Sequence, residues 1–138
     1  MLQIYVDGAC SNNQNQVFAK ARSGAYFPSL KKGVSRDLSG EVHTNNRAEL
    51  DAIILALEQL QEMGKAELDV TIFSDSKYAM NIATKLWKNK NNHDLVEKLW
   101  KQMAAHKGQI KFEYVRGHSK DENNDMADKL ATGKIAPF

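Results

Sequence analysis

Apolar and polar residues alternate along the chain with two periods, one typical of helices and one typical of strands. The clearest helical stripe lies between residues 47 and 63. Apolar residues there follow the i, i+3, i+4, i+7 spacing of one helix face, namely Leu50, Ile53, Ile54, Leu57 and Leu60. Gly64 follows and marks a C-terminal cap. This stretch is the strongest helix prediction in the sequence.

Shorter runs predict the remaining elements. Alternating or short apolar runs predict five strands, over residues 2–6, 23–30, 33–42, 68–73 and 110–114. Weaker helical stripes predict three more helices, over residues 79–86, 95–103 and 123–131. A hairpin followed by βα alternation is typical of an α/β domain whose mixed sheet carries helices on its faces. Since the sequence has no linker or repeat, we expect one domain over residues 1–138.

Composition narrows the class of protein. The 138 residues are 42% hydrophobic and 26% charged, with a net charge of +2, which indicates a folded domain rather than a disordered chain. The single cysteine, Cys10, and an N-terminus without signal-peptide features predict a reducing, cytoplasmic location. No apolar run approaches the roughly 18 residues that span a bilayer, so we expect no membrane role. A monomer is the default expectation.

Four acidic residues stand where they can meet. Asp7 closes the first predicted strand, Asp75 follows the fourth, Glu49 lies in the first turn of the strong helix and Asp128 lies in the last helix. If the first and fourth strands are parallel neighbours, their carboxyl ends bring Asp7 and Asp75 side by side. Clustered carboxylates repel one another and recruit cations, and all-oxygen ligands select Mg²⁺ or Mn²⁺. Two such ions form a clamp for phosphoryl displacement.

Each acid also has a purely structural interpretation. Glu49 completes a capping box with Asn46, Asp75 belongs to a helix cap, Asp7 opens a turn and Asp128 is an exposed helix residue. Taken singly, each structural interpretation is the stronger one. Taken together, and in their local contexts, the four acids favour a metal site.

Four sequence blocks carry a closer resemblance. They are residues 5–10 (YVDGAC), 44–50 (TNNRAEL), 73–76 (FSDS), and 115–119 (VRGHS) followed by Asn124 and residues 127–131 (ADKLA). In this order they resemble the signature blocks of type 1 ribonuclease H over the whole chain. The resemblance implies a ribonuclease H-like fold, a five-stranded mixed sheet flanked by helices. It also implies hydrolysis of the RNA strand of RNA/DNA hybrids, leaving 5'-phosphate and 3'-hydroxyl ends.

The resemblance implies a role for each acid. Two Mg²⁺ ions, replaceable by Mn²⁺, would be bridged by Asp7. Asp128 would complete the site of the ion that activates water, while Glu49 and Asp75 would hold the ion on the leaving-group side. His118 would be a mobile group near the scissile phosphate that assists proton transfer or product release. Three other histidines lack such a context and are expected at the surface: His43, His93 and His106.

Substrate contacts are implied in the same way. The amides that would contact the RNA strand are Asn13, Asn45 and Asn46. Thr44 and Asn92 match two members of a pocket for a DNA phosphate, but Val42 stands where an arginine is often found. The chain also resembles a compact form of the family, without a basic handle or an N-terminal hybrid-binding domain. Trp87 and the neighbouring lysines either replace part of the handle or form a solvated helix end.

Three functions stay open at this point. The first is an active metal-dependent endoribonuclease on RNA/DNA hybrids. The second is a resolvase-like DNA nuclease with the same fold, which Asn13 and the block around Glu49 disfavour. The third is a catalytically weak or inactive nucleic-acid-binding paralogue, which the presence of all four acids disfavours.

Overall fold

The computed structural model describes residues 1–11, 19–86, 91–116 and 121–138. The described strands are β1 (Leu2–Ser11), β2 (Lys20–Phe27), β3 (Lys32–Asp37), β4 (Val70–Ser74) and β5 (Ile110–Tyr114). The described α-helices are α1 (Asn45–Glu62), α2 (Lys77–Ala83), α3 (His93–Ala105) and α4 (Glu122–Ala131). None of these helices is both long and apolar enough to cross a membrane.

The strands form one mixed sheet in the order β3-β2-β1-β4-β5. The central strand β1 is antiparallel to β2 and parallel to β4, and β4 is parallel to β5. The predicted fold class is therefore confirmed, including the parallel pairing of the first and fourth strands. Pairing between β1 and β4 ends at Tyr5 and Phe73, whereas β1 stays paired with β2 as far as Ser11 and Lys20. A crevice therefore opens between β1 and β4 immediately after Tyr5.

Helices cover the two faces of the sheet. Helix α1 contacts β1 and β2, with α3 packed against it, while α4 contacts β1, β2 and β3 from the other face. Fully buried apolar residues on β1, α1 and β4 form the main core between sheet and α1, among them Ile4, Val6, Leu50, Ile53 and Ile72. The apolar stripe of α1 is thus buried as predicted.

Gly8 brings the backbones of β1 and α1 into direct contact. A Cβ atom placed on Gly8 would lie 2.3 Å from the carbonyl carbon of Ala48 and 2.4 Å from the amide nitrogen of Glu49. Only glycine fits at this point without moving the helix away from the strand. The backbone N–H of Gly8 also donates a hydrogen bond of 2.9 Å to Glu49 Oε1.

The structure corrects three local predictions. Strand β1 runs on to Ser11 because β2 remains paired with it, so Asp7 lies within the strand and no turn starts there. The hairpin between β2 and β3 turns through the 3-10 helix Pro28–Leu30, earlier than the predicted turn. Thr44 caps α1 by accepting a hydrogen bond from the Arg47 N–H at 3.1 Å, so Asn46 and Glu49 form no capping box.

The prediction that all three remaining histidines are surface residues is also wrong. His93 is exposed. His106 is buried, and its ring nitrogen Nε2 lies 2.7 Å from the carbonyl oxygen of Leu68. His43 is half-buried, and its Nδ1 accepts a 2.9 Å hydrogen bond from the Ala21 N–H. Both rings are held by backbone groups of distant segments, which a sequence does not display.

A buried ion pair ties β3 to α1. Asp51 on α1 is almost fully buried and accepts hydrogen bonds from Ser23 Oγ at 2.7 Å and from Arg36 Nη2 and Nε at 2.7 and 3.0 Å. Arg36 also contacts Glu58 at 2.9 Å. The bidentate geometry satisfies both oxygens of the Asp51 carboxylate, which offsets the free energy lost when the charge leaves water.

The backbone near the end of the sequence pairs with the edge strand β3. Gly33 donates to the Phe138 carbonyl at 3.1 Å, and Phe138 donates back to the Gly33 carbonyl at 2.9 Å. The Phe138 ring lies 6.0 Å from that of Tyr26. This last residue therefore extends the sheet by one pair beyond β3.

We expect Gly8→Ala to destabilise the protein by about 2 kcal/mol or more, because the added methyl group would overlap the backbone of α1. Urea denaturation measures the loss of unfolding free energy. Gly33→Ala is the matched control, since its Cβ would meet only side-chain atoms, the exposed Phe138 ring at 2.6 Å and Leu130 Cδ1 at 3.0 Å, rather than the backbone of a helix. Equal stability losses in the two variants would contradict a special constraint at Gly8.

We expect Arg36→Met to destabilise the protein by roughly 3 kcal/mol, because it leaves the Asp51 charge buried without its partner. Adding Asp51→Asn should recover part of this loss in the same urea denaturation experiment. Lys107→Met is the control, because Lys107 forms only an exposed contact of 3.8 Å with Glu67. If Arg36→Met cost no more than this control, the pair would not stabilise the fold.

Candidate active site

Three of the four predicted acids meet at the crevice between β1 and β4. Asp7 comes from β1, Glu49 from the first turn of α1, and Asp75 directly follows β4. One carboxylate oxygen from each residue lies within 4.8 Å of the others. Asp7 and Glu49 are only 6% and 8% exposed, while Asp75 is half-buried. The fold therefore places three nearly buried carboxylates where one cation could contact all of them.

The fourth acid, Asp128, reaches the same place from the opposite side of the sheet. It lines a cleft of about 520 Å³ together with the other three acids, which we call the acid cleft. Its carboxyl group is close enough to that of Asp7 to raise the pKa of Asp7 further. Asp128 is not within the group of three that share the 4.8 Å spacing. All four predicted carboxylates thus border one cleft, three of them as a tight cluster.

Burial and mutual repulsion change the protonation of the cluster. Burial, followed by the negative charge of Asp75, raises the pKa of Asp7 to about 8. Burial also raises the pKa of Glu49 well above its ordinary value, and the charges of Asp7 and Asp75 raise it further. The Gly8 N–H, which donates to both Asp7 Oδ1 and Glu49 Oε1, offsets part of this effect for Glu49. Without a cation the cluster therefore retains protons near neutral pH.

The donor set fits a divalent cation. Glu49 Oε2 is buried and accepts no hydrogen bond among the described residues. The described lining of the acid cleft includes no lysine or arginine that could neutralise the carboxylates. Oxygen ligands alone favour hard ions such as Mg²⁺ and Mn²⁺ over Zn²⁺. A cation of this class would satisfy both the unpaired oxygen and the excess negative charge.

A second cleft adjoins the acid cleft and brings the predicted substrate residues together. Its lining consists of Thr44, Asn45, Asn46, Asn91 and Asn92, and we call it the amide cleft. Asn45 lines both clefts, so they adjoin at this residue. Val42, at the position of the missing arginine, is 54% exposed. The structure thus places four of the five predicted substrate residues beside the carboxylates, and their contacts with a substrate stay predictions.

Arg47 holds the amide cleft in shape, a role that the sequence analysis missed. Its guanidinium group donates to both carboxylate oxygens of Asp94 at 2.6 and 2.9 Å and to the Val42 carbonyl at 3.2 Å. It also lies 3.3 Å from Asn92 Oδ1, while Asn92 Nδ2 donates to Tyr78 Oη at 2.9 Å. Asn92 has a left-handed backbone, with φ of 61°, which asparagine tolerates. Its side chain is therefore fixed from two directions.

Asn124 is a second residue of the site to which the sequence analysis assigned no role. It lies one helical turn before Asp128, is 4% exposed and lines the acid cleft. Its Oδ1 is buried without a partner among the described residues. The i, i+4 spacing to Asp128 was a usable signal, because it places both side chains on one face of α4.

Three sequence predictions lie outside the described residues, those for Asn13, Trp87 and His118.

Comparison with known proteins agrees with the geometry. The family model for RNase H matches residues 1–136. The ribonuclease H of Trichodesmium erythraeum is 36% identical over 94% of this chain and 85% of its own. The ribonuclease H of Caldicellulosiruptor saccharolyticus is 36% identical over 96% of this chain and 94% of its own. The ribonuclease HI of Pseudomonas aeruginosa is 36% identical over 96% of this chain and 92% of its own.

A solved structure matches the fold as well. The crystal structure of RNase H1 from the halophilic archaeon Halobacterium salinarum superimposes with a TM-score of 0.68 at 25% identity. The match covers 95% of this chain and 94% of that one. Both the resemblance of the sequence blocks and the expectation of an enzyme are confirmed by these relatives. The chain belongs to the ribonuclease H family, a family of nucleases.

Proposed function

We propose that this protein is a metal-dependent endoribonuclease that hydrolyses the RNA strand of RNA/DNA hybrids. The products would carry 5'-phosphate and 3'-hydroxyl ends. The observation that carries the proposal is the cluster of Asp7, Glu49 and Asp75, whose ligand atoms lie within 4.8 Å of one another. The names of the relatives, ribonuclease H and ribonuclease HI, support the substrate class. We take the catalytic unit to be a monomer. The single cysteine fits a reducing, cytoplasmic setting.

The four carboxylates would hold the metal. Asp7 would bridge two ions because its carboxyl group lies within 4.8 Å of those of Glu49 and Asp75 and lines the same cleft as Asp128. Glu49 and Asp75 would complete one ion site, and Asp128 the other. When bound, two Mg²⁺ ions would supply the Lewis acidity that activates the attacking water and stabilises the leaving 3' oxygen. In the hydrolysis the P–O3' bond breaks, the water oxygen joins the phosphorus, and one proton of the water ends on the leaving 3' oxygen as its hydroxyl proton.

The protein's own groups would position the strand that is cut. Asn45 lies between the acid cleft and the amide cleft, and its amide can both donate to and accept from a 2'-hydroxyl group. This chemistry favours a ribose strand over a deoxyribose strand at the acids. Thr44 and Asn92, in the amide cleft, would face a phosphate of the opposing DNA strand. His118 would assist proton transfer or product release, as its sequence block implies.

A cleavage assay with three duplexes tests the proposal. The protein is incubated with end-labelled RNA/DNA hybrid, double-stranded RNA and double-stranded DNA, each with Mg²⁺, Mn²⁺ or EDTA. We expect cleavage of the hybrid alone, in either metal and not in EDTA. Cleavage of double-stranded DNA would instead indicate a resolvase-like nuclease. Binding of the hybrid without cleavage in either metal would indicate an inactive paralogue.

We expect Asp7→Asn to lower the rate of hybrid cleavage by at least about 100-fold, because the amide cannot bridge two cations. The folded protein should survive, since the amide is uncharged and nearly the same size as the carboxyl group that it replaces. Steady-state cleavage rates and urea denaturation measure the two effects. Glu113→Gln is the control, because it removes the same charge from an acid that is 47% exposed on β5. Substantial activity in Asp7→Asn would contradict the bridging role.

We expect the stability of the metal-free protein to fall as the pH rises from about 5 to 8. The pKa of Asp7 is about 8 in the folded state, against 3.8 for the ordinary group. In this window the folded state binds more protons than the unfolded state, so raising the pH favours unfolding. One excess bound proton corresponds to a slope of about −1.4 kcal/mol per pH unit.

Urea denaturation in EDTA and in Mg²⁺ at several pH values measures this slope. Mg²⁺ should raise the stability most at high pH, because it binds the deprotonated acids and replaces their protons. Asp7→Asn in EDTA should flatten the profile. A slope that neither Mg²⁺ nor Asp7→Asn changes would mean that other groups control the pH dependence.

A further inference from the structure

A third cleft adjoins the acid cleft. It has a volume of about 350 Å³ and lies between the ends of β1 and β2 and the C-terminal end of α4. It shares Ala9, Cys10 and Thr132 with the acid cleft, whereas the amide cleft shares Asn45. Different residues therefore connect the acid cleft to each of its two neighbours. The carboxylates thus lie in the cleft that borders both of the others.

The third cleft differs from the other two in charge. Its lining includes two basic residues, Lys20 and Arg22, and one acid, Asp37, so we call it the basic cleft. The described linings of the acid cleft and the amide cleft contain no lysine or arginine. Among the described residues, the first lysine or arginine that a polyanion would meet on leaving the acid cleft therefore lies in the basic cleft.

The two cations project from the sheet on the same side as Asp7. Ala9 pairs directly with Arg22, and Ser11 with Lys20, so these residues share the face from which Asp7 points. At a strand rise of 3.3 Å per residue, Arg22 lies about 7 Å and Lys20 about 13 Å beyond Asp7 along the strand pair. Helix α4 covers this face and ends at Ala131, which leaves the basic cleft open.

Arg22 is held in place by an ion pair that an incoming anion can replace. Its Nη1 contacts Asp37 Oδ1 at 2.6 Å, and its Nη2 donates to Ser35 Oγ at 3.2 Å. The side chain of Asp37 is 82% exposed and that of Arg22 is 32% exposed. Exposed ion pairs of this kind contribute little to stability. Asp37 therefore orients the guanidinium group while competing only weakly with a phosphate.

We propose that the basic cleft binds the phosphodiester backbone of the strand that is cut, beyond the scissile bond and on the side away from the amide cleft. Arg22 and Lys20 would contact its phosphates. The inference rests on the proposed function, because a strand whose bond is cut at the carboxylates must leave the acid cleft on both sides. The carboxylates repel that strand, so the flanking cations supply binding energy where the acids cannot.

Steady-state hybrid cleavage by Arg22→Ala tests the inference. We expect KM to rise roughly fivefold while kcat changes less than twofold, because Arg22 contacts a phosphate that does not react. The dependence of log(kcat/KM) on log[salt] should become shallower by about 0.7 to 0.9, the loss of one phosphate contact. Arg22→Lys should restore the salt dependence, since it restores the charge. Lys107→Ala, which removes a cation at the opposite end of the sheet, should change neither quantity.

Asp37→Asn separates substrate binding from a structural role. It breaks the same ion pair as Arg22→Ala but removes the negative charge, so KM should fall rather than rise. A purely structural pair would make both variants change KM and urea midpoint in the same direction. Opposite shifts in KM support the basic cleft. Shifts in KM of the same sign and size in the two variants would overturn it. It would also be overturned if the wild type cleaves hybrid and Arg22→Ala changes neither KM nor the salt dependence.

Equilibrium binding keeps this test independent of the proposed function. Fluorescence anisotropy with a labelled hybrid in EDTA measures affinity without cleavage. If the wild type cleaves no duplex but Arg22→Ala weakens hybrid binding and Asp37→Asn strengthens it, the proposed function fails and the basic cleft stands. If the wild type cleaves hybrid and both variants bind like the wild type, the basic cleft fails and the proposed function stands.

Discussion

The contact between Gly8 and the first turn of α1 is the constraint on which the site depends. With no Cβ in the way, β1 and α1 approach until their backbones touch at Ala48. This approach brings Glu49 next to Asp7, two residues that are 42 positions apart in the sequence. The same Gly8 N–H then contacts both carboxylates. Asp75 joins them because β4 pairs with β1 only as far as Tyr5. Packing thus gathers charges that repel one another, and a cation is what would balance them.

Much of this arrangement was predictable because it follows local rules. The apolar stripe of α1 and the alternation in β4 and β5 identify the elements, and parallel pairing brings Asp7 and Asp75 to one edge. What could not be predicted depends on contacts between distant segments. The length of β1 past Asp7 is set by β2, and the burial of His106 by the Leu68 carbonyl. The contacts of Arg47 could not be predicted either, because its partners Asn92 and Asp94 are 45 and 47 positions away in the sequence.

The net charge says little about this molecule, because its charged residues are grouped locally. The sum of +2 conceals eight lysines against two acids between residues 76 and 111, and five acids against two basic residues between residues 112 and 128. In the folded protein the carboxylates of the acid cleft have an uncharged, amide-rich neighbour on one side and a cationic neighbour on the other. A nucleic acid strand that crosses these neighbouring clefts would therefore meet three different chemistries.

The backbone pair between Gly33 and Phe138 has a consequence for how the protein behaves at high concentration. A sheet with free edges can pair with the edge of another molecule and begin to aggregate. Here one edge strand, β3, is partly occupied by the backbone of Phe138. The other, β5, carries Lys111 and Glu113 as exposed charged side chains, which disfavour such pairing. One edge of the sheet is thus partly covered by the protein's own backbone and the other carries charged side chains, and both features disfavour pairing between the edges of two molecules.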